Sequence, residues 1–152
     1  MKTLFAILLA LATFGAATDA LADITVGGSK SRPSSKSAPL GAYRVNHYNP
    51  YSLGNPYGAG SRYKADGLMN PHSAYGSRYS NRSWRNPYAT AAPQLYEGGN
   101  YRGRLSTNRY HKDSTSNPFG RFGSPYSPDS INNKFGAGNP YSTDPIYVYP
   151  GY

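Results

Sequence analysis

Asn70–Arg85 (NPHSAYGSRYSNRSWR) and Asn117–Asn132 (NPFGRFGSPYSPDSIN) are two copies of one sixteen-residue unit. Seven positions are identical, and a ring is kept at two more, His72/Phe119 and Tyr75/Phe122. A repeat on this scale takes precedence over any local reading of helix or strand. Both copies open with Asn-Pro, and Asn-Pro-Tyr also starts at Asn49, Asn55, Asn86 and Asn139. Asn ahead of Pro initiates turns, because its short side chain hydrogen-bonds the backbone and Pro presets φ for the next turn position. Two turns per unit leave only short extended links between them. No segment of the repeats sustains a helical period, and interior prolines, which cannot donate to a ladder, make a regular sheet difficult.

A shorter unit, Asn55–Tyr63 (NPYGAGSRY), recurs at Asn133–Tyr141 (NKFGAGNPY). Leu68, Trp84 and Ile131 each take the penultimate position of a unit, and Ile146 falls where Leu68 does in the shorter frame. Each unit then supplies one large apolar anchor with two or three aromatics. The phase predicts a packed array that buries one anchor per unit; duplication without structural demand is the alternative.

Composition limits what such an array can be. Of the 130 residues beyond position 22, 14 are Leu, Ile, Val or Phe, whereas the chain has 16 Tyr, 17 Gly and 13 Pro. Ordering a backbone costs about 1–2 kcal/mol per residue, and a buried large apolar side chain returns about 1.5–3 kcal/mol. So thin an apolar set argues against a large-core enzyme and requires the tyrosines to do much of the packing. The expected fold is a mostly irregular, turn-rich repeat array with little regular secondary structure, partly disordered, with one short β-hairpin at about 95–105. There, Gly98-Gly99 fits a two-residue primed turn. That register sets Glu97 against Asn100 and Tyr96 against Tyr101, a favourable aromatic cross-strand pair.

Residues 1–22 read as a secretory signal helix. Lys2 is the positive flank, Leu4–Phe14 (LFAILLALATF) the apolar run, and Ala20-Leu21-Ala22 a small-x-small site with cleavage between Ala22 and Asp23. The run is about half the ~20 residues a membrane span needs, and no second one follows, so no stable span is expected after cleavage. The chain is then secreted or periplasmic. Its organisation reads as signal peptide 1–22, flexible linker 23–42, Asn-Pro-Tyr repeats 43–93, β-hairpin 94–107 and Asn-Pro-Tyr repeats 108–152. With no cysteine, neither a disulfide framework nor an N-terminal lipid-bearing thiol is available.

The run Tyr101–Ser142 (YRGRLSTNRYHKDSTSNPFGRFGSPYSPDSINNKFGAGNPYS) resembles a motif of small exported bacterial proteins with Asn-Pro-Tyr-Gly and Ser-Pro-Tyr-Ser repeats. The resemblance covers about Leu95 to Tyr141. It implies export and a repeat module, but no chemistry. This chain departs from the motif at Arg109, His111, Lys112 and Lys134, where Pro, Asp, Pro and Pro would be expected; the departures add positive charge and weaken any inference of metal binding.

A search for catalytic groups returns little. His47, His72 and His111 have no zinc-ligand spacing. Asp23, Asp66, Glu97, Asp113, Asp129 and Asp144 form no close pair. There is no G-x-S-x-G elbow, and Gly58-Ala59-Gly60 and Gly136-Ala137-Gly138 read as turn glycines. Asp113–Asn117 and Asp129–Asn133 loosely resemble the start of a calcium loop but lack its glycine and closing glutamate, so Asx and Ser/Thr turns explain them better. No cofactor is expected and no enzyme is read.

Surface chemistry remains. The formal net charge is +9, with cations scattered along the chain. Tyr43-Arg44, Arg62-Tyr63, Arg78-Tyr79, Tyr101-Arg102 and Arg109-Tyr110 place a cation beside a ring. On an extended scaffold these suit charge attraction plus stacking on an anionic polymer; stacking of Arg on the protein's own rings is the competing account. The leading expectation is an exported, non-enzymatic structural or interaction protein whose partners are envelope or matrix components, with Leu68, Trp84, Ile131 and Ile146 as anchors. The second is a binder of anionic glycan, lipid headgroup or nucleic acid through Arg62, Tyr63, Arg78, Tyr79, Arg102, Arg109 and Tyr110.

Overall fold

The computed structural model describes residues 38–43 and 45–152; the signal helix and most of the linker read from the sequence lie outside them. The described residues contain no helix and one four-stranded sheet, built of β1 (Gly41–Tyr43), β2 (Gln94–Glu97), β3 (Asn100–Arg104) and β4 (Ile146–Tyr149). The strand order is β1-β4-β2-β3, antiparallel throughout.

The hairpin β2–β3 has the register its turn dictates. Gly98 and Gly99 take φ of 54° and 90°, the double positive φ of the primed turn that matches strand twist. Glu97 faces Asn100 and Tyr96 faces Tyr101. Beyond the strands, the Leu105 amide donates to the Pro93 carbonyl at 2.8 Å.

Strands β1 and β4 correct the expectation that this hairpin would be the chain's one β-element. Pro145 and Pro150 bracket Ile146-Tyr147-Val148-Tyr149 instead of interrupting it, so no ladder donor is lost inside the strand. The end of the stretch read as flexible linker is also built into the sheet: Leu40 and Ala42 are buried, and the Leu40 amide donates to the Val148 carbonyl. Ile146 is a buried anchor, but strand pairing places it, not the repeat phase.

The rest is turns, and they follow one rule. Five modules start at Asn49, Lys64, Ser80, His111 and Ser127, fifteen or sixteen residues apart except where the hairpin intervenes. Three residues on stands a small buried residue: Ser52, Gly67, Ser83, Ser114 or Ser130. Its amide closes a β-turn on the carbonyl of the module's first residue at 3.0–3.2 Å. Six residues on stands an asparagine: Asn55, Asn70, Asn86, Asn117 or Asn133. Its Nδ2 donates to that same carbonyl at 2.8–3.2 Å. Both lone pairs of one carbonyl are therefore used, and two successive turns are tied together. The buried hydroxyls are satisfied as well, since Ser52, Ser83, Ser114 and Ser130 each accept the amide two residues on at 3.1 Å.

The residue after the buried small one points into the core. Leu68 is fully buried, and Leu53, Trp84 and Ile131 pack against the cluster of Leu40, Leu68, Leu95, Ile146 and Val148. Thr115 takes the same position in the fourth module and is buried too. The anchor phase read from Leu68, Trp84 and Ile131 thus extends to Leu53 and Thr115. Modules also bond to one another: Trp84 Nε1 donates to the Leu68 carbonyl at 2.8 Å, Thr107 N to the Trp84 carbonyl, and Asn132 Nδ2 to the Thr115 carbonyl. At both edges of the sheet a module takes over. Ser52 bridges Ala42 on β1, and Ser114 bridges Arg104 on β3, each in parallel. These bridges cover edges that would otherwise be left open for pairing.

Candidate functional site

The tyrosines do not pack as their number suggested. Twelve large aromatic residues are 60% or more exposed. Buried aromatics gather instead on one sheet face, where Tyr96 meets Tyr101 and Tyr149 edge-on at 5.5 and 5.8 Å, and Tyr101 meets Phe122 at 5.1 Å. Burial pushes the Tyr96 phenol up to about 12, with the Tyr152 and Tyr101 phenols adding to it. Burial, then Asp113, raises Tyr101 against an opposing contribution from Arg104, and burial raises Tyr43.

The turn chemistry sends the other rings outward. Eleven of the twelve exposed aromatics stand two residues after an Asn or Ser whose side-chain oxygen accepts their own amide, at 2.8–3.3 Å. The bond fixes the backbone at the ring-bearing residue, so its side chain leaves the scaffold in a set direction. Two series result. Tyr48, Tyr63, Tyr79, Tyr110 and Tyr126 each precede a module start; Tyr57, His72, Tyr88, Phe119 and Phe135 each stand eight residues into one. Every member of both series is exposed.

The candidate pairs separate on this framework. Arg62-Tyr63, Arg78-Tyr79 and Arg109-Tyr110 occupy the same place in three turns, where Pro125 and Pro140 stand ahead of Tyr126 and Tyr141. All six residues are exposed, and among the described residues none of the three guanidiniums is held in an ion pair or over a ring. Arg102 departs from the expected surface role. It lies half-buried, with Nε on Glu97 at 2.9 Å and Nη1 on Asp129 at 2.7 Å, and clamps β3 to the fifth module. Arg121 takes the other Asp129 oxygen at 2.6 Å. Arg102 is therefore a structural cation, and the Asp129 carboxylate of the calcium-like stretch is occupied by two guanidiniums. Arg44 lies outside the described residues. Cation–π contact is made at Arg85 over Trp84 and Arg121 over Phe122.

The repeat also builds clefts, which the sequence reading missed. Three open hollows of about 470, 480 and 400 Å3 lie at equivalent places in the first, fourth and fifth modules. Their shared walls are Pro50, Tyr57, Gly58 and Ala59 in the first; Lys112, Phe119, Gly120 and Arg121 in the second; Pro128, Phe135, Gly136 and Ala137 in the third. The glycine is what allows the close approach. A Cβ on Gly58 or Gly136 would collide with the carbonyl of Pro50 or Pro128, which accepts the next amide at 2.8 Å. The recurrence of Gly three residues after the unit's Asn was the available signal.

No family model, curated protein or solved structure matches the chain.

The lining differs from cleft to cleft. The first has three exposed tyrosines, Tyr51, Tyr57 and Tyr63, and Lys64. The second mixes Lys112, Asp113 and Arg121, and the third carries Glu97, Arg102 and Asp144. Among the described residues no group of three or more His, Asp or Glu side chains is placed to hold a metal ion, and no helix is long and apolar enough to cross a membrane.

Proposed function

We propose that this protein is an exported, non-enzymatic structural or interaction protein of the cell envelope or extracellular matrix, in which a turn-built scaffold presents aromatic side chains as many weak contacts. The observation that carries this reading is the outward aromatic series. In a chain so short of apolar residues, rings such as Phe119 and Phe135 stand 96% and 97% exposed. Apolar surface left uncovered where a core needs it is the mark of a contact surface. The Asx bonds keep these rings out, so the scaffold does not depend on them. Substituting Tyr57, Tyr63, Tyr79, Tyr88, Tyr110 and Tyr126 together by Ser is expected to leave thermal unfolding nearly unchanged and abolish co-sedimentation with insoluble cell-wall polysaccharide. Unchanged co-sedimentation would count against the reading. So would turnover of a substrate that is lost on replacing one of the carboxylates or histidines.

A second reading, binding of an anionic polymer, is favoured by the unpaired Arg62, Arg78 and Arg109 at one repeat position. Retention on heparin should fall steeply with salt and drop when all three become Gln. Salt-independent elution near the void volume would exclude it.

A further inference from the structure

We propose that the first-module cleft is a binding site for a linear anionic glycan of the uronic-acid type, with Tyr57 and Tyr63 as stacking platforms, Lys64 as the carboxylate partner in the lining and Arg62, outside the lining but next to Tyr63, as a second. The proposal rests on the anionic-polymer reading above and gives it a place and a ligand class.

The cleft has the size of a small-ligand site, about 470 Å3 within the ~300–1,000 Å3 usual for them. Its walls are unlike those of its two repeat equivalents. Where the fourth and fifth modules place Asp113 and Asp129, the first places Tyr51; where the fifth places Ser142, the first places Lys64. The first cleft is thereby lined by three tyrosines and Lys64 with no carboxylate, whereas Asp113 lines the second and Glu97 and Asp144 line the third. Tyr57 and Tyr63 are 97% and 95% exposed, and their amides are fixed by Asn55 and Ser61, so the rings start from a preorganised backbone. The face of an aromatic ring is negative and attracts the polarised C–H face of a sugar, while the phenol hydroxyls are free to meet its hydroxyls.

Charge sets the class of polymer. Arg62 adjoins Tyr63 and is exposed. Among the described residues Lys64 pairs with Asp66, at 3.7 Å on the surface, a weak solvent-screened pair readily exchanged for a ligand carboxylate. Double-stranded DNA carries a charge every ~1.7 Å and rewards dense Lys and Arg. Here one lining cation, Lys64, accompanies three rings, with Arg62 adjacent to Tyr63 in sequence, a sparse charge suited to a polymer with one carboxylate per sugar and apolar faces between.

The test is calorimetric titration of the protein with oligogalacturonate, alongside Tyr57→Ala, Tyr63→Ala, Lys64→Gln and, as an exposed ring outside the cleft, Tyr88→Ala. The expected result is saturable binding weakened about tenfold or more by Tyr57→Ala and Tyr63→Ala, weakened by Lys64→Gln, and unchanged by Tyr88→Ala. The proposal is overturned by no binding, by equal weakening in Tyr88→Ala, or by oligothymidylate binding more tightly through the same residues. If the cleft variants bind oligogalacturonate as the native protein does while the Arg62/Arg78/Arg109 variant loses heparin retention, the cleft assignment fails and the polymer reading survives. If that Arg variant also keeps its retention, both fail.

Discussion

At the scale of single residues, asparagine does the work usually shared between a cap and a ladder. Asn117 accepts the Phe119 amide through Oδ1 at 3.0 Å and donates through Nδ2 to the His111 carbonyl at 3.2 Å. Serine can supply the first bond, as it does at Ser61 and Ser124, but it lacks the amide nitrogen that makes the second bond at all five module positions. Asn117→Ser is therefore expected to keep the local turn and cost about 0.5–1.5 kcal/mol in urea unfolding; no change would mean the Nδ2 bonds contribute nothing. Even His111 fits the turn rule, its Nδ1 accepting the Asp113 amide at 3.1 Å. The Asn-Pro turns were legible in the sequence because their signal acts within three residues. The direction of the rings was not, because counting 16 tyrosines cannot tell a ring that leaves a turn from one that enters a sheet.

At the scale of elements, the hairpin was legible to its register because Gly98-Gly99 permits few alternatives. Pairing of β1 with β4 was not, since it joins the two ends of the described chain; the β-branched and aromatic run Ile146–Tyr149 was the signal available. The role of Arg102 was not legible for a similar reason. Its partner Asp129 lies in another module, and adjacency to Tyr101 suggested a surface role that the fold denies. Arg102→Met leaves the Glu97 and Asp129 carboxylates without their shared guanidinium and should destabilise by about 2–4 kcal/mol, whereas Arg78→Met should do almost nothing. Equal effects of the two on the unfolding midpoint would contradict this assignment. The sheet also predicts an alkaline limit. Tyr43, Tyr96 and Tyr101 are raised, so the folded state holds these phenols neutral beyond the ordinary value near 10. Their contribution is complete below about pH 10 and is lost as pH rises from there through their raised values, about 12 for Tyr96. A spectrophotometric titration should show a late-ionising class of tyrosine coupled to loss of the fold. Ionisation of every tyrosine in one early step with the fold intact would contradict it.

At the scale of the whole molecule, small size and a thin apolar set are reconciled by convergence. Leu53, Leu68, Trp84 and Ile131 come from four modules, yet meet one cluster with Leu40, Leu95, Ile146 and Val148. A handful of anchors can therefore serve the whole chain, because backbone and hydroxyl groups are satisfied within each turn. Twelve aromatic residues are released from the core and become the surface. The amide of each outward ring residue is itself the donor of a turn bond, so a proton–nitrogen correlation spectrum recorded with added oligogalacturonate reads scaffold order and ring contact at the same atoms. The account predicts dispersed amides at Tyr57, Tyr63, Tyr79, Tyr88 and Tyr110 before addition, and shifts at outward ring positions, Tyr57 and Tyr63 foremost, with β2 and β4 unmoved. Collapsed amides at these positions, or shifts confined to β2 and β4, would contradict it.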